Sequence, residues 1–98
     1  MDSLDNFEEL EQYEQEYMAY ISGKHCLISG ERIDTPYLMS NALKVQSFTA
    51  IPLSDKIKIE LEFLGIIEFE KKYNIELWEQ IYYHLVSFFA LKGVIRLN

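Results

Sequence analysis

Cysteine and histidine are scarce, at one and two among 98 residues. A single Cys26 forms no internal disulfide and no cysteine-only metal site, and the missing disulfide framework points to a reducing, intracellular compartment. His25 and Cys26 are adjacent and His84 is far along the chain, so no pair has zinc-ligand spacing, and neither metal nor cofactor is expected. A Cys-His nucleophile lacks a third group to orient it. With four Gly and two Pro, the chain has no Gly-rich phosphate loop, flexible linker or low-complexity tract. No apolar run approaches the roughly 20 residues of a spanning helix, since the segment 77–91 is interrupted by Glu79, Gln80, His84 and Ser87. Residues 1–20 contain neither Lys nor Arg, so the basic start of a signal peptide is missing as well. No membrane partner or targeting segment is expected.

What is present is core-forming material: 49% apolar residues, 14% of the chain being aromatic, enough for one small domain over residues 1–98. Sixteen acids against nine bases give a net charge of -7. That balance disfavours binding nucleic acid through its phosphates and favours a basic or neutral partner. The charge is also segregated. Seven acids lie within residues 1–20, and the rest of the chain holds nine of each sign.

The acidic segment, residues 1–22, reads as a helix with Ser3 as N-cap. At about 100° per residue, Leu4, Phe7, Leu10, Tyr17, Met18 and Ile21 share one face. Asp2, Asp5, Glu9 and Glu16 cluster opposite, and Tyr13 and Tyr20 lie along the seam. The acids, Glu8 included, either form a solvated face or a surface shaped for a basic partner, and lacking basic neighbours four residues on they repel one another. The tyrosines supply interface area or serve as half-buried edges of the core. Ser22-Gly23-Lys24 ends the helix, and short β pieces are expected at 25–28, 37–39 and 45–51. Helices follow at 55–63, with Ile57, Leu61 and Leu64 inward, and at 66–73, with Ile67, Phe69 and Tyr73 inward. Gly65 separates these two. The last helix spans 76–92 and carries Leu77, Trp78, Ile81, Leu85, Phe88 and Phe89, with Gly93 at its C-terminal cap. The class is α+β, mainly helical: an acidic helix, a small central hairpin region, two short helices and one long one.

Carboxylate pairs such as Glu60 with Glu62, or Glu68 with Glu70, alternate with core positions on short helices and read as solvated faces, not as acid–base pairs. Across residues 26–73, however, an ordered pattern is visible. Cys26-Leu27-Ile28-Ser29-Gly30, Asp34-Thr35-Pro36-Tyr37-Leu38, Ile51-Pro52-Leu53-Ser54, Glu60-Leu61-Glu62, Gly65 and Phe69-Glu70-Lys71-Lys72-Tyr73-Asn74 together resemble the HNH-type nucleases of phages and prophages, particularly the recombination-enhancement group. That resemblance implies a degenerate strand-strand-helix core over residues 25–73. It also implies lost chemistry. The tandem histidines of the family correspond to Pro36 and Tyr37, its helix pair to Ile57 and Lys58, its last histidine to Glu62 and its second cysteine to Ser29. Glu62 or Asp34 could hold a cation weakly, but no residue is left to activate water, so no enzymatic activity is expected.

The function implied is that of a non-catalytic phage-type interaction protein in the cytoplasm of a host bacterial cell. It is expected to occupy a basic nucleic-acid-binding surface of a host defence complex, in the manner of an anti-CRISPR or anti-restriction DNA mimic. The expected contact face comprises Asp2, Asp5, Glu8, Glu9, Glu16, Tyr13 and Tyr20, with direct nucleic-acid binding absent and a homodimer allowed. The alternative is an adaptor derived from an HNH nuclease that binds a recombination or replication protein, working through Tyr37 or the helix at 66–73.

Overall fold

Helix α1 (Ser3–Ser22) opens the fold, and the computed structural model describes residues 3–40 and 46–95, with side chains from Glu11 onward. Strand β1 (Tyr37–Leu38) pairs antiparallel with β2 (Ala50–Ile51), Tyr37 opposite Ile51 and Leu38 opposite Ala50. Helices α2 (Asp55–Leu64), α3 (Ile66–Tyr73) and α4 (Leu77–Leu91) complete a mainly helical α+β chain. Of the residues expected inward on α1, Leu4, Phe7 and Leu10 fall outside the described side chains, as does Val45 at the start of the third β piece.

Two cores result, because adjacent strand residues face opposite ways. Ala50 joins Tyr17, Ile21 and Phe88, which bind α1 to α4. Ile51 joins Cys26, Leu53, Ile57, Leu61, Phe69, Leu77 and Ile81, which gather α2, α3 and the start of α4. Leu85 packs against both clusters, so α4 ties them together.

Helix boundaries follow local chemistry. Gly65 has φ 82° and separates α2 from α3, a conformation that costs a residue with a side chain. Asn74 ends α3 in the left-handed region at φ 51°, ψ 53°, where Asn is better tolerated than most residues. The Glu70 carboxylate then reaches forward and accepts the Leu77 N–H at 2.7 Å, satisfying one of the donors that every helix start leaves free. After α4 the Gly93 N–H bonds to the Ala90 carbonyl at 3.1 Å and the Val94 N–H to that of Phe89 at 2.9 Å. This is the Schellman closure that the left-handed Gly93 permits.

Four expectations need correction. Residues 25–28 form no strand: His25 makes one isolated bridge to Arg32, while Gly30, at φ 75°, closes a turn by donating to the Cys26 carbonyl at 3.0 Å. The apolar Leu27 and Ile28 mimic a strand pattern but serve as turn residues packed on the core. In the piece expected at 45–51, Gln46–Thr49 form a 3-10 turn before β2. The buried Thr49 hydroxyl donates to the Gln46 carbonyl at 2.6 Å, a local bond that competes with the strand ladder. Ile67 is 69% exposed, because two residues of helix place it about 200° from the buried Phe69. Trp78 is 50% exposed, outside the stripe in which Leu77, Ile81 and Phe88 are buried.

Glu60 is the staple between α2 and α3. Its carboxylate accepts hydrogen bonds from the Lys72 ammonium and the Tyr73 hydroxyl, and these two bonds, Lys72 first, hold it below the ordinary carboxylate value. A carboxylate so depressed stabilises the folded state above its unfolded value and loses that contribution as pH falls through the folded one. Wild-type stability is therefore expected to fall more steeply on acidification below the usual carboxylate range than that of Glu60→Gln. Chemical denaturation from pH 6 to pH 3 measures this, and identical acid slopes for the two proteins would remove Glu60 from the account. Bonding to Glu60 likewise raises Lys72 and Tyr73 above their ordinary values.

Candidate interaction surfaces

Helix α1 brings its two faces into very different environments. Tyr17 and Ile21 are fully buried, and the inner face of the helix is an aromatic cluster. The Tyr17 ring lies 5.2 Å from Phe88 and 5.6 Å from Phe48, Tyr13 sits edge-on to Phe89 at 5.5 Å, and Tyr20 lies 5.4 Å from Phe88. Tyr13 and Tyr20 are thus half-buried seam residues engaged within the fold, and the Lys24 ammonium covers Tyr20 at 4.5 Å from its ring centre.

Glu11 is exposed, while Glu14, three residues before Tyr17 and seven before Ile21, is half-buried on the core side of the helix. Neither takes part in an ion pair among the described residues. Together with Gln15, Met18 and Ser47 they line a shallow depression of about 480 Å³. Glu16 differs, since the Lys92 ammonium reaches it from the end of α4 at 3.0 Å, a partner 76 residues away that no local spacing foretells. Asp5, Glu8 and Glu9 belong to the α1 backbone with side chains outside the description, and Asp2 lies outside the described residues. No cation sits among residues 3–22 to balance these acids.

The positions that the resemblance sets against catalytic groups take structural roles. Pro36 and Tyr37 are half-buried at β1, Ile57 is in the core, and Glu62 is exposed. The Lys58 ammonium donates to the Thr35 hydroxyl at 3.0 Å and pairs with Asp55 at 3.3 Å. Asp34 is exposed. Among the described residues no group of three or more His, Cys, Asp or Glu is placed to hold a metal ion. His84 accompanies the α4 backbone, with Nδ1 2.6 Å from the Gln80 carbonyl oxygen.

Cys26, Ser29 and Ser54 do come together. The Ser29 N–H donates to the Cys26 sulfur at 3.5 Å, and the Ser29 hydroxyl donates to that of Ser54 at 3.5 Å. Burial pushes the Cys26 thiol up, but hydrogen bonds from the Ser29 hydroxyl and from the N–H groups of Ser29, Ser54 and Ile28 outweigh it and bring it to about 7. The thiol is 4% exposed.

Sequence patterning missed two apolar surfaces. On α2, Ile59 and Phe63 are 68% and 87% exposed. They line a cleft of about 600 Å³ shared with Glu60, Lys72 and Tyr73. On α4, Trp78, Tyr82 and Tyr83 are all at least half exposed, with the two tyrosine rings 5.7 Å apart. The signal was available in the spacing, because Ile59 with Phe63 and Trp78 with Tyr82 are four residues apart on faces not claimed by the core.

No protein-family model, curated protein or solved structure matches this chain. The strand-strand-helix order of β1, β2 and α2 is common to many folds, and with strands of two residues it assigns no family. Among the described residues no helix is long and apolar enough to cross a membrane.

Proposed function

We propose that this protein is a non-catalytic interaction protein that sets the acids of α1 against a basic, nucleic-acid-binding surface, in the manner of phage inhibitors of host defence complexes. The observation that carries the reading is Glu11 and Glu14 side by side at one depression, neither ion-paired among the described residues, on a helix locked into the core by Tyr17 and Ile21. A helix pinned in this way presents its charges on a rigid rod, and preorganised charge of one sign steers a complementary surface into contact. The frame at residues 25–73 is then a scaffold without nuclease chemistry.

Capture from a bacterial lysate at low salt and then at high salt tests the proposal. A nucleic-acid-handling protein retained at about 50 mM salt and released at about 500 mM is the expected result, since screening shortens the reach of exposed charge to a few ångströms. Salt-insensitive capture of a protein with no nucleic-acid site contradicts it. The second reading, an adaptor, is favoured by the exposed Trp78, Tyr82 and Tyr83 on α4, residue types enriched at protein interfaces.

A further inference from the structure

The apolar cleft on α2 has a different character from the acidic helix, and it needs a different occupant. Phe63 is 87% exposed, Ile59 one turn before it 68%, and Ile66 and Ile67 across the Gly65 bend 42% and 69%. Solvated single apolar residues are ordinary, but four large ones within nine residues are not, and Ile59 and Phe63, one turn apart on α2, line the same cleft. Around the cleft Asp55 pairs with Lys58 at 3.3 Å, Glu68 with Lys71 at 3.8 Å, and Glu60 with Lys72, and the four charged residues of its lining, Glu31, Lys56, Glu60 and Lys72, balance in sign. A face of this kind offers no net field to attract a charged partner.

We propose that this face binds a second copy of the same chain, with the two α2 helices packed antiparallel about a two-fold axis. Three features select that occupant. The stripe is self-complementary, because a two-fold axis near Leu61 sets Ile59 of one copy opposite Phe63 of the other, and each Phe63 enters the cleft beside the opposing Ile59. The neutral rim lets two molecules of net charge -7 approach, whereas contact through α1 would set like charges together. Helix α1 packs in the other core, on α4 and β2, and α2 on α3, so both acidic helices stay free in the pair. The area also decides the strength. Ile59 and Phe63 with the stems of Lys56 and Lys72 fall short of the roughly 800 Å² per partner of a standard interface, so the dimer is weak and reversible. The proposal is independent of what α1 binds.

Sedimentation equilibrium of the full chain from about 10 µM to 1 mM tests it. The expected result is a concentration-dependent rise from 11.6 kDa toward twice that mass, abolished by Phe63→Glu and by Ile59→Lys while circular dichroism stays unchanged. As a check on register, Ile59→Cys mixed with Phe63→Cys is expected to form a disulfide-linked pair faster than either variant alone. A monomer at every concentration overturns the proposal and leaves the cleft to an unrelated partner. A dimer that survives Phe63→Glu overturns it too, by placing the interface elsewhere.

Discussion

Replacing Tyr17 by phenylalanine is expected to stabilise the protein by about 1 kcal/mol, although it removes a polar group from a native side chain. Tyr17 is fully buried, and its hydroxyl has no hydrogen-bond partner among the described residues. A buried donor without a partner loses its water and regains nothing, at about 1–3 kcal/mol. Phenylalanine keeps the ring contacts with Phe48 and Phe88 and removes that penalty. In a domain of this size, 1 kcal/mol raises Tm by roughly 4–8 °C. Alanine is expected to do the reverse, costing about 3–5 kcal/mol as the ring's volume becomes a cavity between α1 and α4. Burial, with a smaller contribution from Tyr20, holds the Tyr17 hydroxyl well above its ordinary value. A group raised in this way contributes its stability below the unfolded value near 10 and loses it as pH climbs beyond. Wild-type protein should therefore weaken above pH 10 more than Tyr17→Phe does. Thermal melts of the wild type and both variants from pH 7 to pH 11 check these expectations, and a Tyr17→Phe protein less stable than wild type at pH 7 contradicts them.

Reversing Glu11 and Glu14 to lysine is expected to leave the fold intact while abolishing charge-driven recognition. Neither residue is ion-paired among the described residues, so reversal of the exposed Glu11 should shift stability by no more than about 0.5 kcal/mol and reversal of the half-buried Glu14 by about 1 kcal/mol. Glu16 is left in place because Lys92 already neutralises it. Affinity for a basic partner should fall by about tenfold or more, chiefly through slower association, because steering alone supplies factors of about 10–10³ in the on-rate. Surface plasmon resonance at two salt concentrations reads this as a lower association rate and a flatter salt dependence. Unchanged binding by a folded double variant would assign the acids to solubility and move recognition to the aromatic face of α4.

The parts of the fold legible in the sequence were those governed by local chemistry. The Gly65 break, the Asn74 stop, the Gly93 closure and the bounds of α3 all follow from residues with unusual backbone freedom acting within one turn. The turn around Gly30 and the 3-10 segment at Gln46–Thr49 read as strands in the sequence because Leu27, Ile28 and Phe48 carry strand-like polarity. What overrides that polarity is a left-handed glycine in one case and a threonine hydroxyl bonded to its own backbone in the other. Of the acidic face expected at Asp2, Asp5, Glu8, Glu9 and Glu16, only the Glu16 side chain is described, and Lys92 pairs with it. That capture and the exposure of Phe63 are not legible in local spacing, since both depend on which helix faces packing leaves uncovered. Trp78 shows the same limit: a large aromatic beside Leu77 reads as core until the α4 stripe is fixed by Ile81 and Phe88.

The central claim is that α1 occupies a surface built for nucleic acid, and competition measures it most directly. Fluorescence anisotropy of a labelled DNA duplex bound to the captured partner, titrated with this protein at about 100 mM salt, is expected to show displacement. The midpoint should move to higher concentration as salt rises, and the Glu11→Lys, Glu14→Lys variant should displace nothing. A partner that holds the protein and its full complement of DNA at once would contradict the claim.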